Sequence, residues 1–509
     1  MECLQDPLSW VLAAFLLAWI MVLHKQRRPG NVLPAPPGPK PLPMIGNVGM
    51  MGQLTHRGLA TLAKKYGGLM HLRLAWFRTY VVSTPGYARE VLQAQDSVFS
   101  DRPATVAISY LSYDRADMAF ADHGPLWRHT RKLCVMKLFS RRRSGTWLAV
   151  RQECAELVRA VAAAPEGVNL GKLMFRFTKN VIFRAAYSTA ADDEIIGILR
   201  ECSDLFGAFS VGDVVPWFSW MDRQGINRRL RAARGAIDGF LEKIIDEHVE
   251  RGRKPDDPDA DMVDGLLEFL DETSRSSKAG GHGQQNTLRL TRKNIKAICM
   301  DIMVGGTETV ALAVEWAMAG MLHNPGVLLR LQKELADVVG LDRNVDESDL
   351  ANLPFLKCVV KETLRLHPPI PLLLHRTSED CTVGGYSVPT GSRVMINVWA
   401  IGRDAEVWED AEKFCPTRFM PEGVAAGLDM KGGCFELLPF GSGRRSCPGM
   451  ALGQYAMELT VAQLAHGFDW ALPNGMKPAE LDMGDMFGLS APRAVRLSAV
   501  PTPRLACHL

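Results

Sequence analysis

The sequence predicts a mainly α-helical protein with a small β-sheet part and an N-terminal helix that anchors the chain in a membrane. Three observations support this: an apolar run near the start, long helical patterns from about residue 44 onward, and short strand patterns early and late in the chain. We therefore divide the chain into an anchor at residues 1–28, a proline-rich hinge at residues 29–43 and one large domain at residues 44–509.

Composition narrows the possible classes of protein. Hydrophobic residues make up 47% and charged residues 23% of the 509 residues, which is typical of a globular chain. A net charge of +3 argues against a large polyanion such as nucleic acid as the partner. The 11 cysteines include no C-x-x-C pair, which argues against a zinc ribbon or a disulfide scaffold and favours a reducing compartment.

The apolar run at residues 8–23 predicts the anchor. A helix of this length spans about 24 Å, slightly less than the hydrocarbon core of the endoplasmic reticulum membrane. Acidic residues precede the run and basic residues follow it, which places the bulk of the chain on the cytoplasmic side: Glu2 and Asp6, then Lys25, Arg27 and Arg28. A cleaved signal peptide is the alternative, although the basic residues stand on the wrong side for one. The hinge that follows has six prolines in residues 33–43, which predicts a stiff, extended spacer.

Within the large domain, strand patterns occur at residues 71–74, 79–83 and 392–397, and one helix stands out by its length. It is predicted from the N-cap Thr291 to His323, far above the mean helix length of about 11–12 residues. Gly305 and Gly306 lie inside it, and each glycine costs about 1 kcal/mol relative to alanine. A helix that brings its backbone close to a flat ligand has a reason to accept that cost. Glu308 and Thr309 then present an acid and a hydroxyl at the same groove.

The loop at residues 440–449 is the most informative motif. Its glycines allow a tight turn, and a helix predicted from Met450 to about His466 follows it. Cys447 therefore lies close to a helix N-terminus and beside Arg445, where a thiolate is stabilised by the helix dipole and by charge. Such a thiolate is either a nucleophile or a soft metal ligand.

Two further sets of residues are candidates for a buried ion pair and for a ligand-binding site. Glu362 and Arg365 lie on one helix face, and Arg418 in the Pro-Thr-Arg-Phe segment could share the Glu362 carboxylate. Trp127 and Arg131, four residues apart on a basic helical stretch, suit a carboxylate group of a ligand.

Together these motifs resemble the cytochrome P450 family. The long helix is similar to its oxygen-binding helix, Glu362, Arg365 and Arg418 match its E-x-x-R and P-x-R-F motifs, and residues 440–449 match its F-x-x-G-x-R-x-C-x-G haem-ligand signature. The resemblance extends from the hinge to the last residues. It implies a mainly helical fold with a small β-sheet domain, a haem b, dioxygen as a substrate, and electrons from NADPH through a cytochrome reductase.

The resemblance also assigns expected roles. Cys447 is the axial ligand of the haem iron, and Thr309 and Glu308 deliver protons. The remaining expected haem contacts are Arg445, Trp127, Arg131, Phe440, Gly306 and one of the neighbours His375 and Arg376, which stand where most relatives carry a propionate-binding arginine. A basic surface that includes Lys132, Lys137 and residues 141–143 is expected to dock the reductase.

Five segments resemble more narrowly the plant ferulate/coniferaldehyde 5-hydroxylases: residues 53–60, 96–100, 115–121, 367–375 and 487–493. That resemblance implies hydroxylation of guaiacyl phenylpropanoids on the ring carbon next to the phenol, in syringyl lignin biosynthesis. The expected substrate pocket consists of apolar and aromatic residues with few polar groups: Val106, Tyr110, Phe120, Val304, Leu372, Leu373, Leu374, Phe487 and Leu489.

Three alternatives stay open. One is a cytochrome P450 that rearranges peroxides, although such proteins usually lack the acid–threonine pair. Another is a flavonoid B-ring hydroxylase, and a third is a membrane-tethered haem sensor or electron carrier without turnover. The preference among aldehyde, alcohol and acid substrates is not determined by these motifs.

Overall fold

The structure, a computed structural model, describes residues 33–505 apart from 44, 140–143, 190–191, 209, 215–216, 218, 221, 223–224, 255–256, 258–259 and 271–289. The expected anchor at residues 1–28 and the basic residues 141–143 lie outside the described residues.

The described part is mainly helical, as the sequence predicts. Its α-helices, in chain order, are α1 His56–Tyr66, α2 Pro85–Arg89, α3 Val106–Leu111, α4 Pro125–Cys134, α5 Ser144–Ala162, α6 Leu170–Tyr187, α7 Glu194–Phe206, α8 Val211–Val214, α9 Ile226–Arg251, α10 Met262–Leu267, α11 Arg292–His323, α12 Pro325–Val339, α13 Pro354–Leu366, α14 Val398–Ile401 and α15 Met450–Gly467. Its β-strands are β1 Leu69–Leu74, β2 Phe77–Val82, β3 Val168–Asn169, β4 Leu372–Arg376, β5 Cys381–Val383, β6 Tyr386–Val388, β7 Arg393–Asn397, β8 Phe468–Ala471 and β9 Ser498–Pro503.

The strands predicted early and late in the chain meet in one sheet with the order β1-β2-β7-β4. Strands β1 and β2 form an antiparallel hairpin, β7 pairs in parallel with β2, and β4 pairs antiparallel with β7. This register sets His375 on β4 opposite Val394 on β7. A second sheet has the order β3-β9-β8, and β5 and β6 form a separate hairpin.

Helix α11 runs through the core and contributes to both large hydrophobic clusters. It begins after Thr291, whose hydroxyl accepts the N–H of Asn294 in a capping box, and it ends at Asn324, where Pro325 starts α12. Among the described helices, α11 is the one long and apolar enough to cross a membrane, but 72% of its most apolar window is buried inside the protein. We therefore assign it as the central core helix.

The described part of the hinge, residues 33–43, is extended and lies against the domain. The Pro37 carbonyl accepts the His71 N–H at 2.9 Å, and the Pro34 carbonyl accepts the Ser387 N–H at 3.1 Å. A Cβ on Gly38 would lie 2.0 Å from the His71 carbonyl oxygen, so glycine is required for this close approach. The hinge is thus attached to β1 and β6 rather than standing free as a spacer.

Candidate active site

A largely apolar cavity of about 370 Å³ lies between the middle of α11, the loop at residues 440–449, strand β4 and the segment before α4. Four segments of the chain that are far apart in sequence therefore meet around one space. Both Cys447 and Thr309, predicted as the chemical centre, line this cavity.

The loop that carries Cys447 is closed by its own backbone. The Cys447 N–H donates to the Phe440 carbonyl at 2.8 Å, and Gly441 and Gly443 adopt φ of 69° and 66°. A Cβ on Gly443 would lie 2.5 Å from Asp96 Oδ1 and 2.7 Å from the Leu92 carbonyl oxygen, so no larger residue fits there. Helix α15 begins three residues after Cys447. The loop thus fixes the sulfur at the cavity wall.

The environment of the Cys447 thiol differs from the sequence expectation. Burial raises its pKa, while the Gly449 N–H and the Arg131 guanidinium act in the opposite direction. The expected stabilisation by Arg445 is absent, because this side chain donates to the carbonyls of Ser100, Met118 and Ala121. A cation bound to the sulfur would overcome the effect of burial, as a metal ion does for a thiol ligand.

Three guanidinium groups line the same cavity: Arg102, Arg131 and Arg445, which we call the arginine cluster. In the described part of the chain, none of them has a carboxylate within 4 Å; their hydrogen bonds go to backbone carbonyls and to Ser446. Burial lowers the pKa of Arg102 to about 9 and that of Arg445 to about 10. Three buried or partly buried cations without a carboxylate in direct contact favour an anionic ligand.

The side chains of His375 and Arg376 point in different directions, and His375 is the one that faces the cavity. The His375 ring lines the cavity and its Nδ1 donates to the Phe99 carbonyl at 2.8 Å. Burial lowers the pKa of His375 to about 3, so this ring is neutral. Arg376 points away from the cavity and pairs with Asp122 at 2.8 Å and Asp101 at 3.3 Å. Of the two alternatives, His375 thus lines the cavity, whereas Arg376 is held by acidic residues outside it.

Trp127 is buried but does not line the cavity. Its indole N–H donates to the Met118 carbonyl at 3.0 Å, so it is not available to a ligand carboxylate. The Arg445 guanidinium instead lies over the indole ring, 4.3 Å from its centroid. Trp127 thus supports an arginine of the cluster, which corrects its expected role as a ligand contact.

On α11, Thr309 and Glu308 face different surroundings. Thr309 lines the cavity, and its hydroxyl donates to the Gly305 carbonyl at 2.7 Å. Glu308 is 9% exposed and lies outside the cavity lining. It contacts the Ser203 hydroxyl on α7 and is also hydrogen-bonded by Ser490, and burial raises its pKa. The acid is thus adjacent to the cavity but is not presented at the groove, which corrects the sequence expectation.

The two glycines of α11 also differ. A Cβ on Gly305 would meet no atom within 4 Å, because this residue opens on the cavity. A Cβ on Gly306 would lie 2.5 Å from Ile182 Cδ1 on α6. Both glycines line the cavity, but Gly305 leaves open space there, whereas Gly306 allows α11 and α6 to pack closely.

Glu362, Arg365 and Arg418 form the buried charge set that the sequence predicts. Arg365 binds both carboxylate oxygens of Glu362, at 2.7 and 2.9 Å, and Arg418 binds Oε1 at 3.1 Å. The remaining guanidinium N–H groups donate to carbonyls of residues 402–413. The set fixes α13 to the segment that precedes the Cys447 loop.

Six of the nine residues expected in the substrate pocket line the cavity: Phe120, Val304, Leu372, Leu373, Leu374 and Leu489. The other three lie outside it. Tyr110 is 40% exposed beside Arg234, Phe487 is 46% exposed near His56, and Val106 begins α3 with its N–H bound to Asp213. All three lie in segments that also contain cavity-lining residues, and proximity in sequence does not fix the direction of a side chain.

Two charged residues of the cavity lining were not predicted from the sequence, Arg102 and Asp301. Arg102 follows a short strand-like segment without any periodic pattern, so nothing in the sequence separates it from a surface arginine. Asp301 lies four residues before Gly305, on the same stripe of α11. That spacing could have identified it.

The cavity fits the haem that the resemblance implies. Cys447 provides a sulfur at the wall, the arginine cluster offers three cations without carboxylate partners, and Gly305 leaves open space beside α11. The arginines would hold the two propionates and Cys447 would hold the iron, while the neutral His375 ring, whose one N–H donates to the Phe99 carbonyl, lines the cavity beside them.

Comparisons with known proteins agree with this geometry. The model of the Cytochrome P450 family matches residues 36–495. Cytochrome P450 84A1 from Arabidopsis thaliana is 55% identical over 99% of this chain and 98% of its own, and a flavonoid 3'-monooxygenase from Arabidopsis thaliana is 38% identical over 98% and 97%. The solved structure of a zebra fish cytochrome P450 with progesterone has a TM-score of 0.73 at 28% identity and covers 88% of this chain and 99% of that one. This chain therefore belongs to the cytochrome P450 family of haem-binding monooxygenases.

Proposed function

We propose that this monooxygenase hydroxylates the aromatic ring of guaiacyl phenylpropanoids at the 5-position, next to the phenol, in syringyl lignin biosynthesis. The observation that carries this is the cavity itself, a largely apolar space that Phe120, Val304, Leu372 and Leu489 line together with Thr309. Flat walls with few polar groups suit an aromatic ring that carries a phenol and a methoxyl group. The five segments that resemble the plant ferulate/coniferaldehyde 5-hydroxylases support the same substrate class.

The haem, when bound, supplies the chemistry that activates dioxygen for insertion of one oxygen atom into a C–H bond. Cys447 would hold the iron through its sulfur, and the arginine cluster would hold the propionates. Thr309, whose hydroxyl lines the cavity and donates to the Gly305 carbonyl, would pass a proton toward the site of oxygen insertion. Glu308, the next residue back on α11 and an acid whose pKa burial raises, would supply that proton.

Electrons come, in this proposal, from NADPH through a cytochrome reductase, at the cytosolic face of the endoplasmic reticulum membrane. The expected docking surface is basic. Of its described residues, Lys132 is exposed, whereas Lys137 pairs with Glu268 at 3.3 Å. The remaining cations, residues 141–143, lie outside the described residues.

A flavonoid B-ring hydroxylase is a second candidate, because relatives named flavonoid 3'-monooxygenase are 38% identical over nearly the whole chain. The test is turnover by the purified full-length protein with reductase, NADPH and dioxygen. We expect coniferaldehyde or coniferyl alcohol to give the 5-hydroxy product. The same assay measures how much ferulate is converted. A Cys447→Ser variant is the control for haem-dependent turnover.

Each alternative has its own outcome in this assay. Turnover of a flavonoid without any guaiacyl product would favour the second candidate. NADPH consumption that does not depend on any added substrate would favour a sensor or an electron carrier.

A further inference from the structure

Asp301 is the one acid among the described residues that line the cavity. It lies on the same stripe of α11 as Gly305 and Thr309, at spacings of four and eight residues. Eight residues of helix correspond to about 12 Å along the axis. The cavity wall formed by α11 thus has a hydroxyl at one end and a carboxyl at the other.

The Asp301 carboxyl is held in place by the chain before α4. Its Oδ2 accepts the N–H groups of Met118 at 2.8 Å and Ala119 at 3.0 Å. Three consecutive residues at 113–115 adopt positive φ and turn the chain so that residues 118–120 reach the cavity. The position of Asp301 is therefore fixed by backbone groups.

Asp301 is paired with a second carboxyl, that of Asp117. The two groups lie within hydrogen-bond reach of each other. Asp117 is 2% exposed and its Oδ1 accepts the Phe120 N–H at 3.0 Å, but its buried Oδ2 receives no N–H or O–H donor from the described part of the chain. A proton shared between the two carboxyls supplies the missing donor.

The charge of this pair follows from its burial. Two neighbouring buried carboxyls do not both ionise, because like charges repel in a medium of low dielectric constant. Burial raises the pKa of Asp301 well above its usual range and that of Asp117 to about 6. At neutral pH the pair therefore holds one proton and one negative charge. Arg102 and Arg445 attract Asp117, and a bound haem would compete for these cations with its propionates.

We propose that the Asp117–Asp301 pair contacts the end of the substrate's three-carbon side chain and selects an uncharged group there. This inference rests on the proposed guaiacyl substrate. With the ring beside Thr309, an extended side chain follows the stripe of α11 toward Asp301. An uncharged aldehyde or alcohol group meets no repulsion there, whereas a carboxylate meets a pair that is already negative. Asp301 is thus a specificity-determining residue.

Replacing these aspartates with asparagine changes the charge of the pair while keeping the size and shape of the side chains. Asp301→Asn reproduces the protonated carboxyl, because its amide oxygen accepts the two backbone N–H groups and its NH₂ donates to Asp117, so the pair keeps one negative charge. The double variant Asp117→Asn/Asp301→Asn is neutral and retains an amide–amide hydrogen bond. The experiment measures kcat/KM for coniferaldehyde and for ferulate in the wild type and both variants.

The ratio of ferulate to coniferaldehyde kcat/KM should rise at least about tenfold in the double variant, since removal of a like charge relieves that much repulsion. In Asp301→Asn it should stay within about threefold of the wild type, because the charge is unchanged. An unchanged ratio in a double variant that still converts coniferaldehyde overturns the inference alone. A wild type that converts no guaiacyl compound overturns both this inference and the proposed function.

A binding measurement on the wild type tests the same point without any variant. Equilibrium dialysis should show ferulate binding tightening as pH falls from about 7.5 to about 5.5, since Asp117 gains a proton near pH 6 while ferulate stays ionised. Coniferaldehyde binding should stay constant. The neighbouring groups Arg102, Arg445, Cys134 and Cys299 do not titrate in this range. If the binding of ferulate and that of coniferaldehyde change with pH in the same way, the inference is overturned.

Discussion

At the scale of single residues, Glu362 shows how a buried charge stabilises this protein. Its side chain has no exposed surface, and two guanidiniums bind its carboxylate. Removing one member of such a set leaves uncompensated buried charges, which costs about 3–5 kcal/mol. We therefore expect Glu362→Gln to lower the thermal unfolding temperature strongly and to reduce the yield of folded protein.

The matched control for this prediction is the exposed pair Glu156 and Arg159. It has the same i,i+3 spacing as Glu362 and Arg365 and an N–O distance of 2.7 Å, but both side chains are more than half exposed. An exposed pair contributes about 0–1 kcal/mol, so Glu156→Gln should leave the unfolding temperature nearly unchanged. Equal effects of the two substitutions would contradict the role of burial.

Residue roles were predictable where the chain itself sets the direction of a side chain. Cys447 follows from its loop and Thr309 from helix periodicity, so both could be placed from the sequence. The directions of Glu308 and Arg376 depend on Ser203 and Asp122, which are far away in sequence. No local pattern contains those partners, so the structure was needed to place both side chains.

At the scale of elements, α11 combines two kinds of glycine that separate substitutions can distinguish. Gly305→Ala places a methyl group in open space and removes the conformational cost of glycine, so it should stabilise the protein by about 0.5–1 kcal/mol. Gly306→Ala forces a methyl group against Ile182 and should destabilise it by about 1–3 kcal/mol.

The contact with α6 provides the control. Ile182→Val removes Cδ1, the atom that lies 2.5 Å from the added Cβ. Thermal unfolding of the double variant Gly306→Ala/Ile182→Val should therefore show less destabilisation than the sum of the single effects. Additive effects would show that the α6 contact does not explain the glycine.

At the scale of the whole molecule, the composition of the fold was easier to predict than its connectivity. The long helix and the strands near residues 71, 79 and 393 are confirmed. They were predictable because hydrophobic periodicity and capping residues are local signals in the sequence. The parallel pairing of β2 with β7 joins residues more than 300 positions apart, for example Tyr80 with Val394. Neither strand contains a signal for its partner, so the sheet order and the cavity it borders required the structure.

The attachment of the hinge to the domain predicts the effect of removing the expected anchor. Deletion of residues 1–28 leaves the bonds of Pro34 to β6 and Pro37 to β1 in place. The shortened protein should therefore retain its haem and its unfolding temperature, while cell fractionation should find much of it released from membranes.

Some binding to membranes should remain after this deletion. Trp217 and Trp220 are 76% and 73% exposed, and large apolar side chains on a protein surface favour the interface of a bilayer. Replacing both with serine in the shortened protein should release the remainder, and the same replacement in the full-length chain should leave it membrane-bound because the anchor persists. If the deletion removes the haem, residues 1–28 instead support the fold. If the deletion alone releases all of the protein from membranes, the two tryptophans are not a second membrane contact.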